Sequence, residues 1–288
     1  MESHIGNDVL EALGKRVSRL AVGGLPDDYN EAISLEGVEA IQGPLSHVRF
    51  EYCTKVGDMA IKEIGCRFSG TLVEVAVIRN FYEKVAKISD ESIKSLQKCK
   101  KLKTLELVHT RRFDDNLALY LSQGFEALRV LNLTHCPVHV SLEPLAEACP
   151  RLEELNLSGD SWVKRQALLG IAKHPHLLVL RLGHFEHSDF KCADAISEHP
   201  PKAFFIVGLF QRPDYFPKLT TLYLELACNL TSLIKELVQE ARSGLRIEMT
   251  PNTLEIGDAI VIDEEEDVDH GQRYGIYEDD DDIDFRYF

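Results

Sequence analysis

The sequence predicts an α/β solenoid in which short parallel strands alternate with helices along one extended array. Two observations lead to this prediction: an apolar pattern of the form L-x-x-L-x-L recurs along the chain, and helix signals fall between its copies. The copies begin at Val17, Leu45, Leu72, Leu102, Leu128, Leu152, Leu177 and Leu219. Because side chains alternate across a strand, the patterned leucines are expected to point into one continuous core.

The spacing of the copies indicates the type of repeat. Successive copies are separated by 28, 27, 30, 26, 24, 25 and 42 residues. All but the last step lie close to the length of a leucine-rich repeat, about 20 to 29 residues. The expected fold is therefore a leucine-rich-repeat solenoid over residues 17–249, a horseshoe with a parallel concave sheet and convex helices. Each repeat buries its apolar face only against its neighbours, so the array forms one domain.

Helix signals lie between the strands. Short side chains that can accept hydrogen bonds from the first N–H groups of a helix precede four apolar periods. These N-cap candidates are Ser34, Ser89, Ser141 and Asn229. Residues 1–16 carry apolar side chains at helical spacing and are expected to form an N-terminal capping helix. Residues 245–249 are expected to add a last edge strand.

The 42-residue step is the one irregularity in the array. Inside it, Phe204, Val207 and Leu209 fit the strand pattern but leave only 15 residues before Leu219. We therefore expect an extra strand followed by a helix-free loop within an insert at about residues 197–217. The insert is rich in aromatic side chains: Phe204, Phe205, Phe210, Tyr215 and Phe216. They form either an exposed partner site or a cover for the end of the array.

The charge of the chain is concentrated at its C-terminal end. The formal net charge is −15, and residues 258–288 hold 13 acidic residues against two arginines, a balance of −11. The repeat body is therefore near −4 by subtraction. Residues 250–288 have too little apolar content to pack and are expected to be a disordered acidic tail. Nothing resembles the basic stripe that nucleic-acid binding requires, so no nucleic-acid partner is expected.

The N-terminal residues and the cysteines bear on the compartment. No apolar stretch is long enough for a signal peptide or a membrane span, so a cytoplasmic or nuclear protein without a membrane partner is expected. Seven cysteines in such a chain indicate reduced thiols. Cys53 and Cys136 stand eight residues after the first apolar residue of their repeats, and Cys66 and Cys149 follow them by 13. All four positions are expected to be buried.

These cysteines also carry a family resemblance. The segment VLNLTHCPVHVSLEPLAEACPRLEELNLSG resembles the cysteine-containing leucine-rich repeats of F-box/leucine-rich-repeat ubiquitin-ligase subunits, as do EYCTKVGDMAIKEIGC and KISDESIKSLQKCKKLKTLEL. No recognisable F-box precedes the repeats, since only 16 residues stand before Val17. The resemblance implies the fold and the binding of protein partners on the concave face or at the C-terminal end of the arc. It does not extend to the ligase contact that the F-box makes.

The motif content of the sequence favours a protein without enzymatic activity, cofactor or metal. The phosphate-loop, zinc-protease and nucleophile-elbow motifs do not occur in the sequence. The histidine-rich stretch has no standard zinc spacing and is expected to lie in an exposed loop: His174, His176, His184, His187 and Cys192. Glu153 and Glu154 are adjacent on a strand and point to opposite sides, so they cannot act as an acid and base pair. The catalytic alternative is a GTPase activator, in which Arg111 and Arg112 would supply a transition-state arginine.

The outward positions of the strands form the candidate partner surface. They mix apolar and charged groups, which suits a protein better than a small ligand, and arginine and aromatic residues dominate binding energy at interfaces. The candidate residues are Arg49, Glu106, Asn132, Asn156, Arg181 and Tyr223, with Phe204, Phe205, Phe210 and Tyr215 from the insert. The opposing interpretation is that these positions are only solvated and that contacts lie in loops. The expected function is a protein-binding adaptor, with substrate recognition in a ubiquitin-ligase pathway implied by the resemblance. The alternative interaction class is binding of histones or other basic proteins by the acidic tail.

Overall fold

The structure is a computed structural model and describes residues 6–13, 17–25, 29–79, 88–109, 117–136, 142–159, 165–185, 202–226 and 231–250. The expected disordered tail after Thr250 lies outside these ranges, as do Arg111, Arg112 and the N-cap candidates Ser141 and Asn229. Within these ranges the chain forms nine helices and nine strands.

Helices and strands alternate along the chain, one helix before each strand. The strands are β1 Arg19–Gly23, β2 His47–Glu51, β3 Glu74–Ile78, β4 Thr104–Val108, β5 Val130–Asn132, β6 Glu154–Leu157, β7 Val179–Phe185, β8 Thr221–Leu226 and β9 Arg246–Thr250. The helices are α1 Asn7–Leu13, α2 Leu35–Ala40, α3 Asp58–Arg67, α4 Asp90–Leu96, α5 Leu117–Leu121, α6 Leu145–Ala148, α7 Arg165–Ala172, α8 Lys202–Phe210 and α9 Thr231–Ala241. Helix α1 lies within the segment expected to cap the array, and β9 forms at the expected last edge.

The nine strands form one parallel sheet in the order of the sequence, from β1 to β9. This order and the alternation of strands with helices confirm the α/β repeat prediction. The patterned residues pair across neighbouring strands in one column: Leu20, Val48, Val75, Leu105, Leu131, Leu155, Leu180, Leu222 and Ile247. All nine side chains of this column are buried. The repeat pattern therefore specifies the register of the whole sheet.

One face of the sheet is covered and the other is open. The inward strand residues and the buried helix residues form a single hydrophobic cluster that runs from Leu10 to Ile247. The alternate residues of β2 and β4 are half-buried, as expected for a strand whose second side faces solvent. We call this second side the open face. Short parallel strands that are each followed by a helix place all the helices on the covered side, because such crossovers share one hand.

Neighbouring repeats are joined by a capping contact between their helices. Ser34 and Ser89 occupy the N-cap positions of α2 and α4 as predicted, but neither hydroxyl caps its own helix. Instead, Asp58 at the start of α3 accepts hydrogen bonds from the Ser89 N–H at 2.8 Å, the Ser89 hydroxyl at 2.7 Å and the Ser92 hydroxyl at 2.6 Å. Asn7 at the start of α1 contacts Ser34 in the same manner, since its Oδ1 accepts from the Ser34 N–H at 3.0 Å. The first residue of one helix thus anchors the start of a later helix.

The expected extra strand at Phe204–Leu209 was wrong, because this segment lies in helix α8. The sequence KAFFIVGLF is apolar at almost every position, so it satisfies the strand spacing and a helix equally well. Phe210, Tyr215 and Phe216 are buried, and the rings of Phe210 and Phe216 stack with centroids 5.2 Å apart. These three aromatic residues therefore belong to the core. The side chains of Phe204 and Phe205 lie outside the described part of the structure.

In the five repeats that begin at Leu102, Leu128, Leu152, Leu177 and Leu219, the position three residues before the first leucine forms a second buried column. It holds Cys99, Phe125, Cys149, His174 and Phe216. His174 was expected to be exposed and is fully buried, which corrects that prediction. Its Nδ1 accepts a hydrogen bond from the His176 N–H at 3.2 Å, so its Nε2 donates to the Cys149 carbonyl at 3.0 Å. Burial lowers the pKa of His174 despite the hydrogen bond to Cys149.

Four of the five described cysteines are buried, and Cys66 is exposed. The predicted burial of Cys66 was therefore wrong. A residue at the end of a helix occupies an equivalent position in two repeats when it stands at the same distance from the strand that follows. Counted in this way, Cys99 and not Cys66 is equivalent to Cys149. Burial raises the pKa of the Cys53 and Cys149 thiols to about 12 and that of Cys99 to about 11.

A left-handed backbone position recurs after the strands. Tyr52, His109, His135 and Gly159 each stand seven residues after the first leucine of their repeat and have φ values of 54, 57, 57 and 72°. The rings of His109 and His135 stack with centroids 3.9 Å apart. A Cβ atom at Gly159 would overlap the imidazole ring of His135. Gly159 therefore provides the space in which the His135 ring packs.

None of the helices in the described ranges is long and apolar enough to cross a membrane.

Candidate partner-binding face

The open face consists of parallel rows of side chains that run across the strands. The first row holds Arg19, His47, Glu74, Thr104, Val130, Glu154, Val179, Thr221 and Arg246. The middle row holds Ala21, Arg49, Ala76, Glu106, Asn132, Asn156, Arg181, Tyr223 and Glu248. Six predicted partner residues therefore share one row, namely Arg49, Glu106, Asn132, Asn156, Arg181 and Tyr223. Neighbouring strands are about 4.8 Å apart, so Arg49 on β2 and Arg181 on β7 are separated by about 24 Å.

Arg181 forms the best-defined cluster on this face. Its guanidinium carbon lies 3.9 Å from the centroid of the Tyr223 ring on the next strand. Its Nε donates to Oε1 of Glu154 at 3.0 Å, and the two side chains are 33% and 32% exposed. A guanidinium group carries five N–H donors, so donors remain for a partner after the bond to Glu154. The three residues thus present an oriented arginine and an aromatic ring to solvent.

Arg49 forms the second cluster near the other end of the row. Its Nε lies 2.5 Å from Oε1 of Glu51, and its Nη1 lies 3.5 Å from Oε1 of Glu106. Glu106 is two strands away, and the ion pair crosses over Ala76, which is fully buried as a result. Desolvation alone would lower the pKa of Arg49, but the hydrogen bond to Glu51 and the charge of Glu106 raise it above its usual value. Arg49 is therefore held in place by carboxylates of its own chain.

Asn132 and Asn156 occupy the centre of the middle row and make the same local contacts. Oδ1 of Asn132 accepts from the N–H and the hydroxyl of Thr134 at 3.1 and 2.6 Å. Oδ1 of Asn156 accepts from the N–H and the hydroxyl of Ser158 at 3.0 and 2.6 Å. Each amide oxygen therefore closes the turn that ends its strand. These turns also orient the amide groups toward the open face.

The charges of the first two rows of the open face cancel. Its first two rows hold four arginines and four glutamates: Arg19, Arg49, Arg181, Arg246, Glu74, Glu106, Glu154 and Glu248. A neutral mixture of this kind differs from the positive surface that phosphate backbones require. It matches the mixed composition of ordinary protein interfaces, in which arginine and tyrosine are enriched.

The remaining predicted site residues lie elsewhere. Phe210 and Tyr215 belong to the helix layer and are 1% and 7% exposed, so they present no surface to a partner. Glu153 pairs with Arg129 at 3.1 Å and Glu154 with Arg181, so the two neighbouring carboxylates have different contacts. Within the described residues, no group of three or more metal-ligating side chains converges. His187 and Cys192 lie outside the described ranges.

The ion pair to Glu154 was missed at the level of sequence, although its signal was present. Aligning the repeats by their leucines places Glu154 and Arg181 on neighbouring strands and Arg181 directly beside Tyr223. Cross-strand neighbours of opposite charge interact. Reading the repeats as a grid of rows, rather than one strand at a time, would have shown this cluster.

Comparisons with known proteins provide no family assignment. No protein-family model matches the chain, and no curated protein matches it.

Proposed function

We propose that this protein is a non-catalytic adaptor that binds another protein through the open face of its sheet. The observation that carries this proposal is the Arg181 cluster, in which a half-exposed arginine is oriented by Glu154 and stacked on Tyr223. An arginine and a tyrosine that are already ordered lose less entropy on binding than flexible side chains do. The partner would place a carboxylate or carbonyl oxygen at the remaining guanidinium donors and an apolar group on the tyrosine ring.

The wider geometry of the face supports a protein as the ligand. The nine strands span about eight spacings of about 4.8 Å, or about 38 Å, which suits the extent of a macromolecular interface. We further propose that the array has the horseshoe curvature of leucine-rich repeats, with the open face on its concave side, and that it acts in the cytoplasm or nucleus.

The proposed role of the adaptor is substrate recognition in a ubiquitin-ligase pathway. It is supported by the resemblance of the cysteine-containing repeats, whose Cys53, Cys99, Cys136 and Cys149 are buried at recurring positions. A shared fold does not by itself carry a function. The role therefore depends on whether the captured partner is ubiquitinated in a manner that requires Arg181.

The experiment compares the full chain with two single variants. Arg181→Glu should weaken binding of the captured, purified partner by about thirtyfold, corresponding to about 2 kcal/mol for a central interface arginine. Arg212→Glu is the matched control, because Arg212 also pairs with a carboxylate, Asp214 at 3.4 Å, and stacks on a tyrosine ring at 4.4 Å. Arg212 follows helix α8, away from the open face. Equal loss of affinity in both variants would contradict the proposed face.

The identity of the captured partner, and the effect of the variants on it, distinguish the adaptor role from its alternatives. Ubiquitin conjugates of the partner should fall in cells that carry Arg181→Glu, and unchanged conjugates would remove the ligase role. The 13 acidic residues within 258–288 favour histones or other basic proteins as a second class of partner. A chain that ends at Glu255 should lose such a partner and keep one that binds the open face. If the captured partner were a small GTPase, and this protein accelerated its GTP hydrolysis, GTPase activation would replace the adaptor role.

A further inference from the structure

A row of basic side chains lies along one edge of the sheet. This edge is formed by the N-terminal ends of the strands, where the chain passes from each helix into the next strand. In three consecutive repeats a proline and a basic residue precede the first leucine: Pro150-Arg151, Pro175-His176 and Pro217-Lys218. Lys101 holds the same position two repeats before Arg151. Lys103 and Arg129 follow the first leucine of their repeats, and the Arg129 N–H donates to the Lys103 carbonyl at 2.8 Å. Because the repeats are in register, these side chains share one edge.

We call Lys100, Lys101, Lys103, Arg129, Arg151, His176 and Lys218 the basic edge. All seven residues are exposed. Two carboxylates lie among them, Glu126 at 3.8 Å from Lys100 and Glu153 at 3.1 Å from Arg129. Six cations and two carboxylates leave a charge of +4 with His176 neutral, on a repeat body near −4.

Four cations of the basic edge remain available to a ligand. Among the residues that the structure describes, no carboxylate forms an ion pair with Lys101, Lys103, Arg151 or Lys218. Within the described part of the chain these four charges therefore face solvent, and an acidic ligand that binds them would release their counterions. The edge differs in this respect from the open face, where Arg49 and Arg181 are paired with glutamates.

A depression of about 390 Å³ opens at the C-terminal end of this edge. Arg129, Arg151 and Lys218 contribute to its rim, while Pro150 and Leu178 contribute apolar surface. Leu178 is 36% exposed, and Nζ of Lys218 donates to Nδ1 of His176 at 3.0 Å. Glu153 also lines the depression, where it pairs with Arg129, so Arg151 and Lys218 are the lining cations without a carboxylate partner among the described residues. An exposed aliphatic side chain beside these cations suits a ligand that is acidic and carries one apolar group.

We propose that the basic edge binds an acidic segment of a partner protein in an extended conformation, with one apolar side chain of the segment in the depression. The cations spread from β4 to β8, four strand spacings or about 19 Å, which an extended peptide of about six residues covers at about 3.3 Å per residue. A single phosphate would need several donors at one point, whereas these are distributed along a line. A single-stranded nucleic acid would need aromatic rings for base stacking, and the depression offers Pro150 and Leu178 instead.

Fluorescence anisotropy with a labelled peptide tests this inference directly. The probe contains six aspartates with one central phenylalanine and is titrated with the full chain at low salt. A full-length variant with Asp279, Asp280, Asp281 and Asp282 changed to Asn is titrated in parallel, so that carboxylates of the chain itself cannot mask the result. We expect saturable binding that falls at least tenfold in high salt, because screening shortens the range of the charges from about 10 Å at 0.1 M to about 3 Å at 1 M. Failure of both proteins to bind would overturn the proposal.

Two variants with three substitutions each distinguish binding at the basic edge from a general attraction between opposite charges. Lys101→Glu, Arg151→Glu and Lys218→Glu together should weaken binding of the probe at least tenfold. The control changes Lys55, Lys62 and Lys235 to Glu, which alters the net charge by the same amount at exposed positions outside the edge. Equal losses in both triples would contradict a defined site.

Two further probes test the chemistry of the ligand. Replacing the phenylalanine of the peptide by serine should weaken binding about threefold or more. Unchanged affinity would show that the depression does not contribute to the binding site. Tighter binding of a 12-nucleotide single strand than of the peptide would overturn the assignment to an acidic protein segment. Since the edge lies outside the open face, a negative result here leaves the proposed adaptor function standing.

Discussion

The contact between Asp58 and the start of α4 predicts a measurable link between neighbouring repeats. Asp58 accepts three hydrogen bonds at 2.6 to 2.8 Å, from the Ser89 N–H and from the hydroxyls of Ser89 and Ser92. Ser89 is 5% exposed and Ser92 is fully buried, so neither hydroxyl can turn to bulk water when the carboxylate is removed. Asp58→Ala should therefore leave buried donors without their acceptor.

The expected cost of Asp58→Ala can be worked out from these contacts. A buried donor that loses its partner costs about 1 to 3 kcal/mol, and an exposed helix cap about 1 kcal/mol. Because part of the loss is recovered by relaxation around the alanine, we expect the free energy of unfolding to fall by about 3 kcal/mol. Asp58→Asn should cost only about 1 kcal/mol, because an amide oxygen still accepts from the Ser89 N–H. The chain itself uses this arrangement at Asn7, whose Oδ1 accepts from the Ser34 N–H and whose Nδ2 donates to the Ser34 hydroxyl at 2.8 Å.

Urea unfolding followed by circular dichroism measures both variants against the unmodified protein. Glu91→Ala is the control, since Glu91 is 63% exposed and its pair with Lys94 at 3.4 Å should contribute less than about 0.5 kcal/mol. A loss below about 0.5 kcal/mol for Asp58→Ala, or an equal loss for the asparagine variant, would refute the proposed link. A change in the slope of the transition would show that the repeats no longer unfold together.

Three further predictions concern the recurring positions of the repeat. Gly159→Ala should lower the free energy of unfolding by about 2 kcal/mol or more, because φ is +72° and the new Cβ would meet His135, whereas Gly70→Ala, whose Cβ meets nothing within 4 Å, should not. The burial of His174 lowers its pKa below the usual 6.5, so the unfolded chain binds the proton more readily; stability should be full above pH 6.5 and decline as pH falls below it. Iodoacetamide at pH 8 should modify Cys66 first among the described cysteines, because burial raises the pKa values of the Cys53, Cys99 and Cys149 thiols.

Each of these predictions has a distinct failing result. Equal stability of the two glycine variants in urea would show that the packing of His135 on Gly159 is not required. For the histidine, the control is His174→Phe, because phenylalanine stands at the same repeat position in Phe125 and Phe216. If the unfolding midpoint of this variant shifted with pH as much as that of the unmodified protein, a group other than His174 would be responsible for the pH dependence. Faster alkylation of Cys53 than of Cys66, measured by peptide mass spectrometry, would contradict the burial of that thiol.

The repeat pattern predicted the sheet because the patterned apolar residues are buried in every repeat. The leucines at L-x-x-L-x-L positions pack against both neighbouring repeats, so their spacing determines strand, register and face together. The pairing of Leu105, Leu131, Leu155 and Leu180 in one column results from this periodicity. Six candidate residues were predicted to point outward from their strands, and the same periodicity brings them into one row of the open face.

The pattern failed where the local sequence does not distinguish two structures. The segment of α8 is apolar throughout, so no periodicity separates strand from helix, and its packing of Phe210 on Phe216 is a tertiary contact. Cys66 was misplaced because the distance from the cysteine to the next repeat differs: Leu72 follows Cys66 by six residues, whereas Leu152 follows Cys149 by three. The contacts of Arg49 and Arg181 with glutamates depend on neighbouring strands, and reading one strand at a time cannot show them.

Photo-crosslinking tests the central claim, that the open face holds a protein partner, most directly. A benzophenone amino acid replaces Tyr223 on the open face in one protein and Met59 on the helix side in another; Met59 is 60% exposed on α3. With the partner bound, irradiation should give a crosslinked complex from position 223 and none from position 59. A crosslink from position 59 alone would show that the partner binds the helix layer and would contradict the proposed function.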